Sequence, residues 1–216
     1  IIQKGTFMAK RFFETFPALI LEDELKDLFE FAEVTALKYN RDRTAIHVYL
    51  LCRRLISKPQ IYAVESKIEK QMFPDGDMKI RIFESFSLSE QYTPSYLVDV
   101  YKDSLFAEIK RRSDLDYHIL MRADWKVADD DSLLLTLEDS LWARNRAGEL
   151  REWIQMVFYD RCAISIPVAV SFKERDTTAI EEEKKRAEAQ AIARIMKANS
   201  VASKEKEDEF IDTASA

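Results

Sequence analysis

Ile46-His47-Val48-Tyr49-Leu50-Leu51, with Ser57-Lys58-Pro59 soon after it, decides the architecture. Ile46, Val48 and Leu50 alternate with His47, Tyr49 and Leu51, the period-two pattern of a strand with one buried face. His47 falls on the face opposite the core positions. Ser57 is placed to cap a helix, with Pro59 in its first turn, where proline is tolerated. Ile61, Val64, Ile68 and Met72 form the apolar stripe of that helix, and Pro74-Asp75-Gly76-Asp77 ends it. Ile80 and Ile82 alternate in a further strand. Working backwards, Asn40-Arg41-Asp42-Arg43 reads as a polar turn and Glu33–Tyr39 as a strand. Glu22–Phe31 has helical spacing, with Leu21, Leu25, Leu28 and Phe29 on one side. The order is helix, strand, strand, helix, strand.

The same order recurs. Thr93-Pro94 predicts a helix start, a cap followed by proline at the first position. Leu97, Tyr101, Leu105 and Ile109 fall four apart along that helix, and a short helix is expected near Asp116–Met121. Trp125–Ala128 and Leu133–Leu137 make a hairpin around Asp129-Asp130-Asp131. Ser140 caps a long helix in which Ala143, Ala147, Leu150, Ile154 and Val157 line one face. Ile164, Ile166, Val168, Val170 and Phe172 form the best period-two run in the chain. Pro167 cannot donate a ladder hydrogen bond, so that strand belongs at a sheet edge or the proline at a bulge. The fold class is therefore α+β: two small αββαβ units with three-stranded mixed sheets. Each has an antiparallel hairpin, a helical crossover to a third strand and one sheet face covered by helices.

Composition narrows the function. The chain has 216 residues with a formal charge of −6; 47% are hydrophobic and 33% charged. Such a chain repels nucleic acid unless its basic residues cluster. Arg53-Arg54, Lys110-Arg111-Arg112 and Lys184-Lys185-Arg186 are short and have acidic residues nearby, and they read as solvated helix ends. Cys52 and Cys162 belong to no metal-spacing pattern and suit buried thiols in a reducing cytoplasm. No apolar run approaches the roughly 20 residues that cross a bilayer, and no secretion signal is visible. A cytoplasmic location and no membrane partner are expected.

Catalytic, metal and cofactor chemistry finds no residues here. His47 and His118 have no cysteine or carboxylate at zinc spacing. Asp129-Asp130-Asp131 point in different directions at a hairpin tip without a calcium loop. No nucleophile motif and no glycine phosphate loop is present. The expectation is no catalytic residue, no metal site and no cofactor. The remaining feature is aromatic. Trp142 and Trp153 stand within about 20° of each other around a helix, with Arg146 and Glu149 between them. Trp142, Arg144, Arg146 and Trp153 form the candidate partner surface, since tryptophan and arginine are enriched at interaction hot spots; the plainer reading, favoured for Trp153, is packing at the edge of the core.

Met8-Ala9-Lys10-Arg11-Phe12-Phe13 and Leu21-Glu22-Asp23-Glu24-Leu25-Lys26-Asp27-Leu28-Phe29-Glu30-Phe31 resemble the start of the PolC-type DNA polymerase III alpha subunit of low-GC Gram-positive bacteria. Leu88-Ser89-Glu90-Gln91-Tyr92-Thr93-Pro94, Leu135-Thr136-Leu137-Glu138-Asp139-Ser140 and Asp160-Arg161-Cys162 continue the resemblance in order. It implies two domains ahead of the modules that bind nucleic acid and carry exonuclease and polymerase activity, modules outside this stretch. The parent would be a DNA-directed DNA polymerase with 3'-5' exonuclease. The second unit is also similar to the small domain shared by the replication initiator's N-terminus and the tau subunit's C-terminus, a truncated KH type II fold. KH domains that bind nucleic acid use a Gly-x-x-Gly loop. Here Gly148 stands alone within a helix.

The expected organisation is a disordered leader over 1–7, domain I over 8–88, the truncated KH-like domain II over 93–175, a charged helical linker over 176–199 and disorder over 200–216. Met8 reads as a start. The expected function is a non-catalytic protein-interaction region that tethers the polymerase within the replisome. The clamp-loader tau subunit and the helicase machinery are the expected partners, and DNA is reached through the parent polymerase. The alternative is an auxiliary single-stranded nucleic-acid-binding module that uses Tyr92, Tyr96 or Trp142 beside Arg144 and Arg146. A structural spacer packed on the polymerase body is a third reading.

Overall fold

The computed structural model describes residues 9–174. The leader, linker and tail expected at 1–7, 176–199 and 200–216 lie outside the described residues. The elements run β1 (Lys10–Arg11), α1 (Phe12–Thr15), α2 (Asp23–Phe29), β2 (Glu33–Tyr39), β3 (Ala45–Cys52), α3 (Lys58–Met72) and β4 (Lys79–Phe86). They continue α4 (Pro94–Arg112), α5 (Asp114–Met121), β5 (Asp124–Val127), β6 (Leu133–Glu138), α6 (Leu141–Cys162) and β7 (Val168–Lys173). Sheet 1 has the order β1-β2-β3-β4 and sheet 2 the order β5-β6-β7. In both, the hairpin is antiparallel and the strand after the crossover helix is parallel. The repeated αββαβ order is therefore real.

Local chemistry starts the helices. Ser57 donates its backbone N–H and its hydroxyl to Gln60 Oε1 at 3.0 and 2.8 Å, closing the first turn of α3. Thr93 Oγ1 accepts from the Tyr96 N–H, and Ser140 Oγ accepts from the Ala143 N–H at 3.1 Å. These caps satisfy N–H groups that have no partner inside the helix. The Asn40 side chain accepts from the N–H groups of Thr44 and Ala45, which fixes the β2–β3 turn. Gly76 takes φ 73° in the turn after α3, a conformation that suits glycine.

Three details differ from the sequence pattern. Sheet 1 gains a fourth strand, the two-residue β1, paired with β2. It delivers Phe12, on the single turn α1, between Phe29 and Phe16, with ring centroids 4.8 and 5.1 Å away. Helix α2 is shorter than the spacing over Glu22–Phe31 suggests: Phe29 is its last residue, and Phe31 lies beyond it, exposed. The β7 strand begins only at Val168. Pro167 precedes it and gives its carbonyl to the Leu133 N–H at 2.8 Å, while β7 occupies a sheet edge.

The two halves share one core, and the described residues as far as Lys173 belong to one compact unit. Helix α3 lies against α4, and α6 lies against β4. The margin of β4 away from β3 is closed by the chain's own helix. Glu69 Oε1 accepts from the Ile80 N–H and Glu65 Oε1 from the Ile82 N–H, each at 2.8 Å.

Candidate functional site

Helix α6 carries all four residues of the predicted partner surface, and the structure separates them. Trp142 is 62% exposed, whereas Trp153 is 6% exposed and turns toward sheet 1, where it lines a cleft with Tyr49 and Phe83. Arg144 grips Asp139 in a fork, Nε to Oδ1 and Nη2 to Oδ2 both at 2.6 Å, and stands 5.2 Å from the Phe172 ring. Arg146 forks onto Asp116 of α5 at 2.9 and 2.7 Å and also bonds Glu149. Both guanidiniums are thus committed to carboxylates within the chain. Of the four, Trp142 and Arg144 are exposed to solvent, Arg144 with its guanidinium held by Asp139. Trp153 and Arg146 hold α6 in place, because the helix angle that groups them with Trp142 takes no account of what packs from the other half.

Other apolar side chains join Trp142 outside. Leu141, Met156 and Tyr159 are all exposed. With 100° per residue, the four fall within an arc of about 100° along about 27 Å of helix. Glu149, Glu152 and Asp160 are interleaved with them. The face has an apolar pair toward each end and acidic residues between and beside them.

A second cluster escaped the sequence reading. Glu84 on β4 is wholly buried, and three helices converge on it. Lys58 Nζ of α3 lies 2.7 Å from Oε2, the Tyr101 hydroxyl of α4 donates to Oε1 at 3.0 Å, and Arg161 Nε of α6 lies 3.4 Å from Oε1. Arg161 also donates to Tyr101 at 3.2 Å and to Glu108 at 2.8 Å. Two cations meet two carboxylates, so the cluster is neutral. Burial, reinforced by the Glu84 charge, pushes the Tyr101 hydroxyl above its ordinary value. Burial alone would lower the Arg161 guanidinium, but Glu84, Tyr101 and Glu108 outweigh it and hold it firmly charged. The group is a clamp between the halves. Its signal was the run Ile80-x-Ile82-x-Glu84-x-Phe86, which puts a carboxylate on a core-facing register.

The remaining titratable residues have structural surroundings. Burial pushes the Cys52 and Cys162 thiols up to about 12 and about 11, far from the thiolate a nucleophile needs. Asp130 accepts from the Ser132 N–H and hydroxyl at the β5–β6 turn. His47 meets the Phe83 ring edge-on at 5.1 Å, and His118 sits beside Tyr117 on α5. Among the described residues no group of three or more His, Cys, Asp or Glu is placed to hold a metal ion. No helix there is long and apolar enough to cross a membrane. Tyr92 and Tyr96 stand 5.6 Å apart at the start of α4, with Tyr96 exposed.

Comparison with known families locates the first half. Residues 11–82 match the family described as DNA polymerase III polC-type N-terminus I. No curated protein matches the chain. The matched span runs from the end of β1 through α1, α2, the β2–β3 hairpin and α3 into β4. Over residues 11–82, within the first of its two α/β halves, this chain is similar to the DNA polymerase III polC-type N-terminus I family.

Proposed function

We propose that the chain is a non-catalytic protein-interaction region that tethers a PolC-type replicative polymerase within the replisome, with the open face of α6 as its docking surface. The family match over residues 11–82 supports a place in a DNA polymerase III. The observation that carries the tethering reading is the line of Leu141, Trp142, Met156 and Tyr159 on one solvent-facing side of a helix. Single surface apolar residues are ordinary, but two exposed apolar pairs aligned on one side of a helix, each with an aromatic ring, support an interaction site. A helix presenting such residues fits a partner's groove. The acidic trim of Glu149, Glu152 and Asp160 favours a protein with a basic rim and disfavours nucleic acid on this face. The clamp-loader tau subunit and the helicase are the partners to test.

The test is a calorimetric titration of the 216-residue chain with each candidate partner. Binding should weaken about tenfold or more in Trp142→Ala and in Tyr159→Ala, as for an aromatic hot spot. Thermal melting of both variants should match the parent chain, since neither side chain is in the core. Failure of both partners to bind, or binding that both variants leave intact, would sink the reading.

A further inference from the structure

The two sheets differ on the face turned away from the core, which on sheet 1 is bordered by Trp153 and Met156 of α6. On sheet 2 that face carries Asp124, Lys126, Thr136, Ser171 and Lys173 around Leu134, a mostly polar surface of the kind expected where a sheet meets water. On sheet 1 the register places Lys38 beside His47, His47 beside Arg81 and Tyr49 beside Phe83. These side chains share one face. The Tyr49 and Phe83 rings are stacked, with centroids 5.2 Å apart and planes at 19°, and the Lys38 ammonium lies 4.6 Å from the Tyr49 ring. Phe83 remains 46% exposed.

Phe83 also lines a cavity of about 590 Å³ beyond β4, with Tyr62, Arg81, Arg111, Arg112 and Arg161. The Arg111 guanidinium carbon lies over the Tyr62 ring, 3.5 Å from its centroid. Charge is layered in this groove. The Glu65 side chain is 5% exposed and turned inward onto the Ile82 N–H, whereas those of Arg81 and Arg111 are 51% and 55% exposed. Arg81 and Arg111 both ion-pair loosely with that one carboxylate, at 3.8 and 3.6 Å, so a single Glu65 charge at the floor faces two guanidiniums at the rim. A chain of net charge −6 thus keeps a local cationic edge beside aromatic rings. Asp160 lines the adjoining cleft and opposes an anion there, so an anion belongs over Arg81 and Arg112.

We propose that this face and groove bind a short single-stranded nucleic acid. One base stacks on Phe83 and another on the Arg111–Tyr62 pair, while Lys38, Arg81 and Arg112 hold phosphates. Aromatic faces serve every base, so binding is sequence-tolerant, and the cations track the backbone. Met156 of the stripe lines the cleft beside Phe83, but Trp142 and Tyr159 do not, so variants at those two residues test the tethering face separately from this site.

Fluorescence anisotropy of the whole chain with a labelled oligothymidylate of about twelve nucleotides, a length within the range single-strand sites occupy, tests it. Affinity should fall with rising salt, with a log–log slope of about −2 for three phosphate contacts. Phe83→Ala should weaken binding about tenfold at unchanged slope. Phe83→Leu, which keeps apolar bulk, should do the same and guards against misfolding of the first variant. Arg112→Gln and Lys38→Gln should each flatten the slope, and Trp142→Ala should change nothing. Absence of binding at low salt would overturn the proposal. So would parental affinity in both Phe83 variants, or equal displacement of the oligonucleotide by polyglutamate, which would reveal a site for acidic protein.

Discussion

Glu84 stands between Ile82 and Phe86 on the core-facing side of β4, where an aliphatic residue could pack. Its two oxygens instead receive an ammonium, a phenol and a guanidinium from three helices. A buried pair of this kind adds little net stability, yet removing one partner leaves the others charged and dry. Glu84→Ala is expected to cost about 3–5 kcal/mol, read as a shift of the denaturant midpoint at constant slope. A loss of less than about 1 kcal/mol, the scale of an ordinary hydrogen bond, would show that Lys58 and Arg161 find other partners. Replacing Lys58 by Met in the same background should recover part of the loss, because the orphaned ammonium is then gone.

At the scale of elements, α6 is fixed to α5 by the fork between Arg146 and Asp116. The Arg146 hydrogen bond holds the Asp116 carboxyl below its ordinary range against the opposing effect of burial. The folded state therefore binds that proton more weakly than the unfolded chain does. The stabilisation is full above an aspartate's unfolded value of about 4 and fades as pH falls through the lower folded value. Asp116→Asn should lose about 1.5–3 kcal/mol at neutral pH, the scale of hydrogen bonds to charged groups. Urea curves should then converge with those of the parent chain as pH drops below about 4. A difference that stays constant with pH would assign the loss to packing instead. The start of this helix, like those of α3 and α4, was legible because Ser57, Thr93 and Ser140 act on their own first turns. Strand β7 was legible only in part: Ile164 and Ile166 keep the alternation, but Pro167 lacks the N–H of a ladder. Neither β1 nor α1 has enough residues to show a period, and both depend on the distant pocket that takes Phe12. Trp142 and Trp153 look alike on a helical wheel, and only sheet 1, contributed by the other half, buries the second. The Glu84 cluster was hidden for the same reason, since its partners span Lys58 to Arg161.

For the whole molecule, the shared core and the Glu84 clamp predict that the halves unfold together. Trp125, Trp142 and Trp153 all lie in the second half, so their fluorescence follows that half, while far-ultraviolet circular dichroism follows both. Coincident urea transitions from the two probes are expected for one cooperative unit. A fluorescence transition displaced from the dichroism curve would show the halves melting separately. The closed margin of β4 acts on a larger scale still. An open strand edge is a template on which a second chain can lay its own backbone. Here Glu65 and Glu69 fill the donors at Ile80 and Ile82 from within. Copies of the chain crowded together by a common partner cannot knit along that edge into a continuous ladder. They remain separate molecules there, and whatever recruits them past this margin must recognise side chains and not a bare backbone.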